Sequence, residues 1–401
     1  MVAFLLSRLW KALGSNSAHS RALVFLAAGV FGLNFGFAAY QSTYTNFFVG
    51  NLGIDAFQMG ALESLRELPG FLTAFILGST LSFSPPLLAG FFALLFGFSI
   101  AGIATVTSWI QVALWLIMGS IGFHMWQPLQ NSMAMDLAEP QKTGKRLGQI
   151  NSVAAVASIA AMASVAILAS FVDFQYRIFF IASGAIAFLF GLLVFKIPPT
   201  SRTIKKTRLV FKKRYRTYYL ISFFEGARRQ IFFTFSPFVL VKIFSLPVTT
   251  VSFTMFVSQA LTLILAPYIG KTLDRIGPRT VLSISYILMI GDFLGYAYFR
   301  NIYVLLGLYA LSSILMVVSV ISLATYVNQL TDPMDLTPTL AMGQTIEHVA
   351  AVAMPLAGGI LWDFFGYQTT FLIGTATAGC LLLAAQKIRT ARKPTTSQTF
   401  M

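Results

Sequence analysis

Two short stretches of this sequence carry acidic and basic side chains within otherwise apolar surroundings. They are "ESLRE", with Glu63, Arg66 and Glu67, and "EGARR", with Glu225, Arg228 and Arg229. Positions i, i+3 and i+4 of a helix lie on one face, so each stretch can neutralise part of its own charge. A charge at the centre of a bilayer costs about 2.5–3.5 kcal/mol, so such residues pair with one another or face a cavity. The spacing therefore predicts either structural ion pairs or a functional site.

The functional interpretation assigns different chemistry to the two types of charge. Arginine offers planar donors that suit a carboxylate or a phosphate, which makes Arg228 and Arg229 candidate contacts for an anionic solute. A carboxylate kept from water takes up a proton more readily than an exposed one. The candidate proton-coupling residues are Glu225, Glu63, Glu67, Arg66 and Glu347, with His348 and His124 as relays. For each of them a purely structural pair is an equally open interpretation.

The composition indicates which class of protein places charges in such surroundings. Of the 401 residues, 57% are hydrophobic and only 10% are charged, whereas a soluble chain carries about 25% charged residues. The apolar residues are spread along the whole length, which predicts an all-α polytopic membrane protein. The single cysteine, Cys380, excludes an internal disulfide framework and a cysteine-based metal site.

Twelve apolar runs are long enough to cross a bilayer as helices, which takes about 20 residues. Their approximate bounds are 22–49, 56–82, 85–106, 109–137, 146–171, 176–197, 214–242, 248–270, 279–299, 302–330, 338–361 and 367–387. Twelve spans put both termini on one side. With the termini in the cytoplasm, 22 of the 28 Lys and Arg residues fall in cytoplasmic segments and three fall outside. This positive-inside bias predicts that orientation in the cytoplasmic membrane.

The distribution of charge also decides between classes of partner. The net charge of +15 is explained by basic loops that face anionic lipid headgroups, so the lipid bilayer is expected as a partner and nucleic acid is not. The motifs HExxH, GxSxG and the phosphate-binding GxxxxGK followed by Ser or Thr do not occur. We therefore expect no enzyme activity, no catalytic residue, no cofactor and no metal site.

The two halves of the sequence resemble each other. "GSTLSFSPP" follows the second span and "GKTLDRIGPR" follows the eighth, and both share G-x-T-L and a proline at matching distance. Parallel six-helix repeats are an architecture of secondary transporters. The predicted plan is a cytoplasmic segment (1–21), a six-helix bundle (22–197), a basic linker (198–213), a second bundle (214–387) and a cytoplasmic tail (388–401).

These segments resemble the major facilitator superfamily. "GKTLDRIGPR" is similar to its loop signature G-x-x-x-D-R-x-G-R followed by Arg or Lys, and "MDLAEPQKTGKRLGQ" (135–149) resembles its loop between spans four and five. The resemblance covers the full chain and implies two pseudo-symmetric six-helix bundles and transport by alternating access. It also implies a monomer. In the first half, Ser82 and Phe83 stand where the second half has Asp274 and Arg275.

The resemblance also assigns roles to positions. Spans one, four, seven and ten line the central cavity of this family, which puts Arg228 on the solute path. The further substrate contacts it implies are Arg229, Tyr40, Gln41, Trp126, Gln127, Gln130 and Tyr326. For Trp126 and Tyr326, packing between helices is the open alternative. Spans two and eleven meet where the halves join, which brings "ESLRE" towards Glu347 and His348. The implied cytoplasmic latch consists of Asp274, Arg275 and Arg279.

Three functions are open at this point. The leading hypothesis is a proton-coupled carrier of a small organic anion, with H⁺ favoured over Na⁺ as the coupling ion. The alternative is a polyspecific drug/proton antiporter, because a phenylalanine-rich cavity with Glu63 or Glu225 would attract lipophilic cations. The third is a transporter-like sensor that moves no solute, since the latch motif is missing from the first half. The sequence does not distinguish import from export.

Overall fold

The computed structural model describes residues 18–79, 83–139, 141–199 and 211–388. Most of the predicted N-terminal segment, loop positions 80–82 with Ser82, most of the basic linker and nearly all of the tail lie outside these ranges.

The described residues form twelve long helices and two 3-10 turns, Ile103–Thr105 and Lys213–Tyr215. The helices are α1 (Ala18–Leu52), α2 (Ala56–Ser79), α3 (Pro85–Gly102), α4 (Trp109–Asp136), α5 (Thr143–Phe171), α6 (Tyr176–Val194), α7 (Arg216–Lys242), α8 (Val248–Ile276), α9 (Pro278–Tyr298), α10 (Ile302–Leu330), α11 (Pro333–Phe365) and α12 (Tyr367–Ala385). Each predicted span corresponds to one helix, and the predicted all-α class is confirmed.

Ten of these helices are long and apolar enough to cross a membrane. The two exceptions, α2 and α7, are the helices that carry "ESLRE" and "EGARR". They have 24 and 27 residues, which is enough to span a bilayer. Their charges, rather than their lengths, therefore set them apart from the other ten.

The break between α3 and α4 has the shortest polar separator in the sequence, and side-chain hydrogen bonds define it. The backbone N–H of Gln111 donates to Ser108 Oγ at 3.4 Å, and the N–H of Thr107 donates to Gln111 Oε1 at 2.8 Å. Arg177 at the start of α6 donates to the carbonyl of Val106 at 2.9 Å. Side chains thus satisfy backbone groups that the two helix ends leave without partners.

Helix ends alternate between two faces of the molecule. We call the face with residues 195–199 and 211–215 the linker face, and the other the opposite face. The halves meet along two helix pairs, α2 with α11 and α5 with α8. A Cβ at Gly60 would lie 2.2 Å from the carbonyl oxygen of Pro355, and one at Gly359 would lie 2.4 Å from that of Ala56. Glycine thus permits the close crossing of α2 and α11.

The hydrogen bonds that join the two halves lie between the opposite face and the centre of the bundle. They link Asn46 to Leu246 (2.8 Å), Ser252 to Ser42 (3.0 Å), Phe57 to Asp363 (3.1 Å), Lys242 to Ile54 (3.4 Å), Leu356 to Ser64 (3.0 Å) and His348 to Glu67 (3.2 Å). Nearer the linker face, no hydrogen bond or ion pair joins the halves within the described ranges. This conformation is therefore closed on the opposite face.

Candidate functional site

The charged turn of α2 neutralises itself as its spacing predicts. Arg66 donates to Glu63 Oε2 at 2.8 Å and, through Nη2, to Glu67 Oε1 at 2.7 Å. All three side chains are at most 11% exposed, so water does not screen these pairs. Two carboxylates and one guanidinium leave these three residues, which we call the α2 cluster, with one net negative charge.

Glu67 connects the α2 cluster to two histidines. Its Oε2 lies 3.2 Å from His348 Nδ1 on α11 and 4.0 Å from His124 Nε2 on α4. The two imidazole rings meet edge to face with centroids 5.2 Å apart. His124 Nδ1 lies 3.0 Å from the carbonyl oxygen of Ser120. Because a carbonyl only accepts hydrogen bonds, Nδ1 is the donor in this contact, and Nε2 is the ring nitrogen that faces Glu67.

Gly70 in α2 provides the space that both rings occupy. A Cβ at this position would lie 2.6 Å from His348 Cε1 and 2.7 Å from His124 Nε2. The sequence interpretation brought His348 towards Glu67 but identified neither Ser120 nor Gly70. Their only signals are local: Ser120 precedes His124 by one helical turn, and Gly70 follows Glu67 by three residues.

The arginines of α7 divide between two environments. Arg228 points into the C-terminal half, where it forms a short ion pair with Glu225 and its Nη1 lies 2.8 Å from Met316 Sδ. Tyr286 donates its hydroxyl to the other oxygen of Glu225 at 2.8 Å. The Arg228 side chain is only 2% exposed, so in this conformation the surrounding helices shield it from solvent.

Arg229 follows Arg228 and lies about 100° further around α7, where it faces α11. Its Nη1 is 2.9 Å from Glu347 Oε2, and the two side chains are 30% and 18% exposed. A Cβ at Gly226 would lie 2.2 Å from the carbonyl oxygen of Glu347, so glycine lets α7 approach α11 here. Because Glu347 and His348 are consecutive, α11 contacts the arginine of α7 with one residue and the α2 cluster with the next.

A small cavity of about 20 Å³ lies in the first half beside the α2 cluster. Apolar side chains from α1, α3 and α4 line most of its wall, and Arg66, Ser120 and His124 supply polar groups. The predicted contact Tyr40 also lines it, stacks on Tyr44 with centroids 4.8 Å apart, and has a hydroxyl without a hydrogen-bond partner among the described residues. A cavity of this size has room for a water molecule in this conformation.

The remaining predicted solute contacts do not line this cavity. Trp126 is fully buried in the first half and donates Nε1 to Gln130 Oε1 at 2.7 Å. A Cβ at Gly29 of α1 would lie 2.9 Å from the Trp126 ring, so this ring packs between helices. Tyr326 is also buried in α10. Gln41 and Gln127 are half-buried.

The predicted latch residues lie at the linker face. Asp274 and Arg275 are exposed at the end of α8 and form no ion pair with the described residues. Arg279 at the start of α9 donates to Gln386 Oε1 at 3.2 Å. In this conformation, the hydrogen bond of Arg279 therefore connects the start of α9 to the residue that follows α12.

A second charged group at the linker face was not identified from the sequence. Arg214 hydrogen-bonds to Asp332 and, at 3.0 Å, to Asp335, which also accepts from Lys212 and, at 2.7 Å, from Tyr215. The hydrogen bond to Asp332 raises the pKa of Arg214, which keeps its charge at any physiological pH. This linker-face cluster ties the segment before α7 to the beginning of α11.

Comparison with known proteins agrees with the observed fold. Solved structures that share it include the nucleoside transporter NupG (TM-score 0.75, 18% identity, covering 92% of this chain and 98% of that one) and the D-xylose-proton symporter (0.71, 16%, 91% and 97%). A third is a bacterial homologue of the human lysosomal transporter Spinster in an inward-facing, occupied conformation (0.73, 14%, 93% and 96%). No protein among the curated sequences matches this chain.

The sequence profile described as Major Facilitator Superfamily matches residues 24–217 and 218–399. These two stretches take in all twelve helices except the first residues of α1. The chain therefore belongs to the major facilitator superfamily and is a transporter rather than an enzyme.

Proposed function

We propose that this protein is a secondary active transporter that moves a small organic anion across the cytoplasmic membrane by alternating access. The observation that carries the proposal is the layer of charge at half depth, where Glu67 contacts His348 and Arg229 contacts Glu347. Charges within a membrane protein are costly and mark solute or ion pathways. This layer involves helices from both halves, so a change in its pairing can bias the arrangement of the halves.

Arg229 is the proposed first contact for the solute. Its guanidinium is 30% exposed and pairs with a partly exposed carboxylate, whereas Arg228 is 2% exposed and shielded. A carboxylate or phosphate of the solute can replace Glu347 on the planar donors of Arg229. In this proposal Arg228 holds Glu225 in place and gains access to solute only if α7 moves.

Proton coupling is proposed to act through Glu347 and Glu67, with His348 between them. A proton on Glu347 would neutralise the partner of Arg229 and free the guanidinium for an anion. Glu63, Glu225 and His124 are the further groups that we propose can accept or pass on the coupled proton. H⁺ is favoured over Na⁺ because imidazole nitrogens accept protons, whereas hard cations prefer oxygen ligands.

We further propose that the linker face is cytoplasmic. Among the described residues, 13 Lys and Arg residues lie at this face and three lie at the opposite face, in agreement with the positive-inside rule. In this orientation the conformation described above is closed to the outside. Asp274, Arg275 and Arg279 then lie where a cytoplasmic latch would form when the linker face closes.

The test is solute flux into proteoliposomes under an imposed pH gradient, with a panel of small carboxylates and organic phosphates. We expect Arg229→Ala to abolish anion flux and Arg229→Lys to retain part of it. Glu347→Gln should lose the dependence on the pH gradient while retaining solute exchange. Arg300→Ala is the matched control, because it removes an exposed arginine outside the proposed solute path and latch. Equal anion flux in wild type and Arg229→Ala would contradict the proposal.

The drug/proton antiporter is a second candidate, and the aromatic wall of the cavity beside the α2 cluster favours it. An antiporter would bind lipophilic cations against these rings, with Glu63 or Glu67 as the attracting charge. Arg229→Ala would then spare efflux of such cations, and Glu63→Gln would reduce it. The two variants therefore respond in opposite ways under the two functions.

A further inference from the structure

We propose that Glu67, His124 and His348 form a site for one divalent transition-metal cation of the Zn²⁺ class. The site goes beyond the transport function, and its argument does not depend on that function. No metal site was predicted from the sequence, which contains one cysteine and no HExxH motif. The two histidines lie in different halves of the chain. The fold brings them to the same carboxylate oxygen.

The positions of the ligand atoms fit a tetrahedral ion. Glu67 Oε2, His124 Nε2 and His348 Nδ1 all lie within 4.8 Å of one another, with Oε2 3.2 Å from His348 and 4.0 Å from His124. Ligand atoms at about 2.0–2.1 Å from tetrahedral zinc are about 3.4 Å apart. Side-chain shifts on the order of 1 Å therefore give three ligands and leave a fourth position for water.

The surroundings hold two of the ligands in orientations suited to a metal. The Ser120 carbonyl accepts a hydrogen bond from Nδ1 of His124, which leaves Nε2 as the nitrogen that can bind the ion. Arg66 holds Glu67 Oε1 and leaves Oε2 free. Such hydrogen bonds behind the ligands are a general feature of metal sites. His348 needs its proton on Nε2, an ordinary tautomer of neutral imidazole.

The charges and donor types favour a borderline cation. The α2 cluster has one net negative charge, and Arg229 already neutralises Glu347 beside the site. Two imidazoles and one carboxylate suit Zn²⁺, Co²⁺ or Ni²⁺, whereas Mg²⁺ and Ca²⁺ need sets of oxygen ligands. Arg66 opposes the bound charge, so the affinity is expected to fall below that of four-ligand structural zinc sites.

The location of the site has a conformational consequence. Two ligands come from α2 and α4 in the first half, and the third comes from α11 in the second. The three meet only when the halves adopt the conformation closed on the opposite face. A bound metal therefore stabilises this conformation by mass action.

The first test is metal binding by the purified, chelator-treated full-length chain without a histidine tag. We expect one Co²⁺ per chain with the visible d–d absorption of a tetrahedral site, displaced by Zn²⁺ and unaffected by excess Mg²⁺. An octahedral spectrum identical to free Co²⁺ would overturn the proposal on the wild-type protein alone. This measurement therefore does not depend on the folding of any variant.

Variants then assign the ligands. His124→Ala, His348→Ala and Glu67→Gln should each weaken Zn²⁺ binding in calorimetry at least about tenfold. His19→Ala should leave Zn²⁺ binding unchanged, since His19 is the one remaining histidine of the sequence and is exposed at the start of α1. Equal affinity in wild type and the His124→Ala/His348→Ala double variant would overturn the assignment.

The second test measures the conformation. In a Cys380→Ser background, spin labels at Met135→Cys and Met334→Cys report the separation of α4 and α11 at the linker face, where both residues are exposed. Zn²⁺ should narrow the distance distribution to one population, a chelator should reverse this, and His348→Ala should abolish it. An unchanged distribution would contradict the bridging role. No solute or pH gradient is used, so failure here and failure of the transport proposal are distinguishable.

Discussion

Glu67 on α2 and His348 on α11 lie 3.2 Å apart and form the hydrogen bond nearest the centre of the bundle that joins the two halves. On one side of this pair, towards the opposite face, further hydrogen bonds hold the halves together. The pair thus lies at the inner limit of the closed region. A rearrangement that separates α2 from α11 removes the partner of Glu67 Oε2, while Arg66 on the same helix still holds Oε1.

Loss of His348 should shift the conformational equilibrium. A hydrogen bond to a charged group contributes about 1.5–3 kcal/mol, so His348→Ala should reduce the population of the closed state by tenfold or more. Spin labels at Ile110→Cys and Tyr303→Cys, exposed at the opposite-face ends of α4 and α10, would measure this in a Cys380→Ser background. Superimposable distance distributions in both proteins would contradict the prediction.

Arg66 should be essential for stability. Arg66→Ala leaves Glu63 and Glu67 buried without their common partner, and breaking a buried pair in this way costs about 3–5 kcal/mol. The melting temperature in detergent should fall clearly below that of wild type. Arg275→Ala, which removes an exposed arginine, is the control and should melt like wild type. Similar melting temperatures for the two variants would contradict the pairing.

The neighbouring arginines of α7 should respond differently to the same substitution. Arg228→Ala leaves Glu225 buried with only Tyr286 as a partner, so it should lower the melting temperature strongly. Arg229→Ala leaves Glu347 partly exposed and able to bind water, so its effect should be smaller. Thermal unfolding of both variants in the same detergent measures the difference, and an inverted order would show that Arg229 carries the structural role.

Gly226 should tolerate no side chain. A Cβ there would lie 2.2 Å from the carbonyl oxygen of Glu347, so Gly226→Ala must force α7 away from α11. Overpacking of this kind costs about 1–3 kcal/mol. Gly291→Ala in α9 is the matched control, because a Cβ there meets nothing within 4 Å and alanine favours the helix. A lower melting temperature for Gly226→Ala alone would agree with the close approach.

The linker-face cluster should contribute weakly and in a salt-dependent manner. Asp335→Asn removes the charge that Lys212 and Arg214 share, and ion pairs at an exposed surface contribute little to stability. The melting temperature should fall slightly at low ionic strength and less at high ionic strength, because salt screens exposed charges. Asp332→Asn should lower the melting temperature less than Asp335→Asn does. A decrease in melting temperature that does not depend on salt would contradict this account.

The positions of the helices were predictable because the membrane imposes them. A bilayer requires about 20 apolar residues per span, and the predicted bounds 56–82, 109–137 and 302–330 end within three residues of α2, α4 and α10. The helices extend beyond the predicted bounds mainly at their polar ends, as in α11, which begins at Pro333 instead of residue 338. A search for apolar runs does not detect these polar helix ends.

The pairing within each charged turn was also encoded locally. The i, i+3 spacing of Glu63 with Arg66 and of Glu225 with Arg228 sets the distance between the side chains, whatever the rest of the fold does. Both pairs are present. The partner of Arg229 was not encoded in this way, because Glu347 lies on another helix.

The sequence by itself determined the number of helices, their approximate bounds and the charge pairs within one turn, because bilayer thickness and the helical period act over short distances along the chain. Only the tertiary structure decided that Arg228 is shielded while Arg229 is accessible, that Trp126 packs against α1, and that His124 meets His348. Helices that are apolar on all sides have no polar face to set their rotation. Packing against neighbours through small residues such as Gly70 and Gly226 decides it instead.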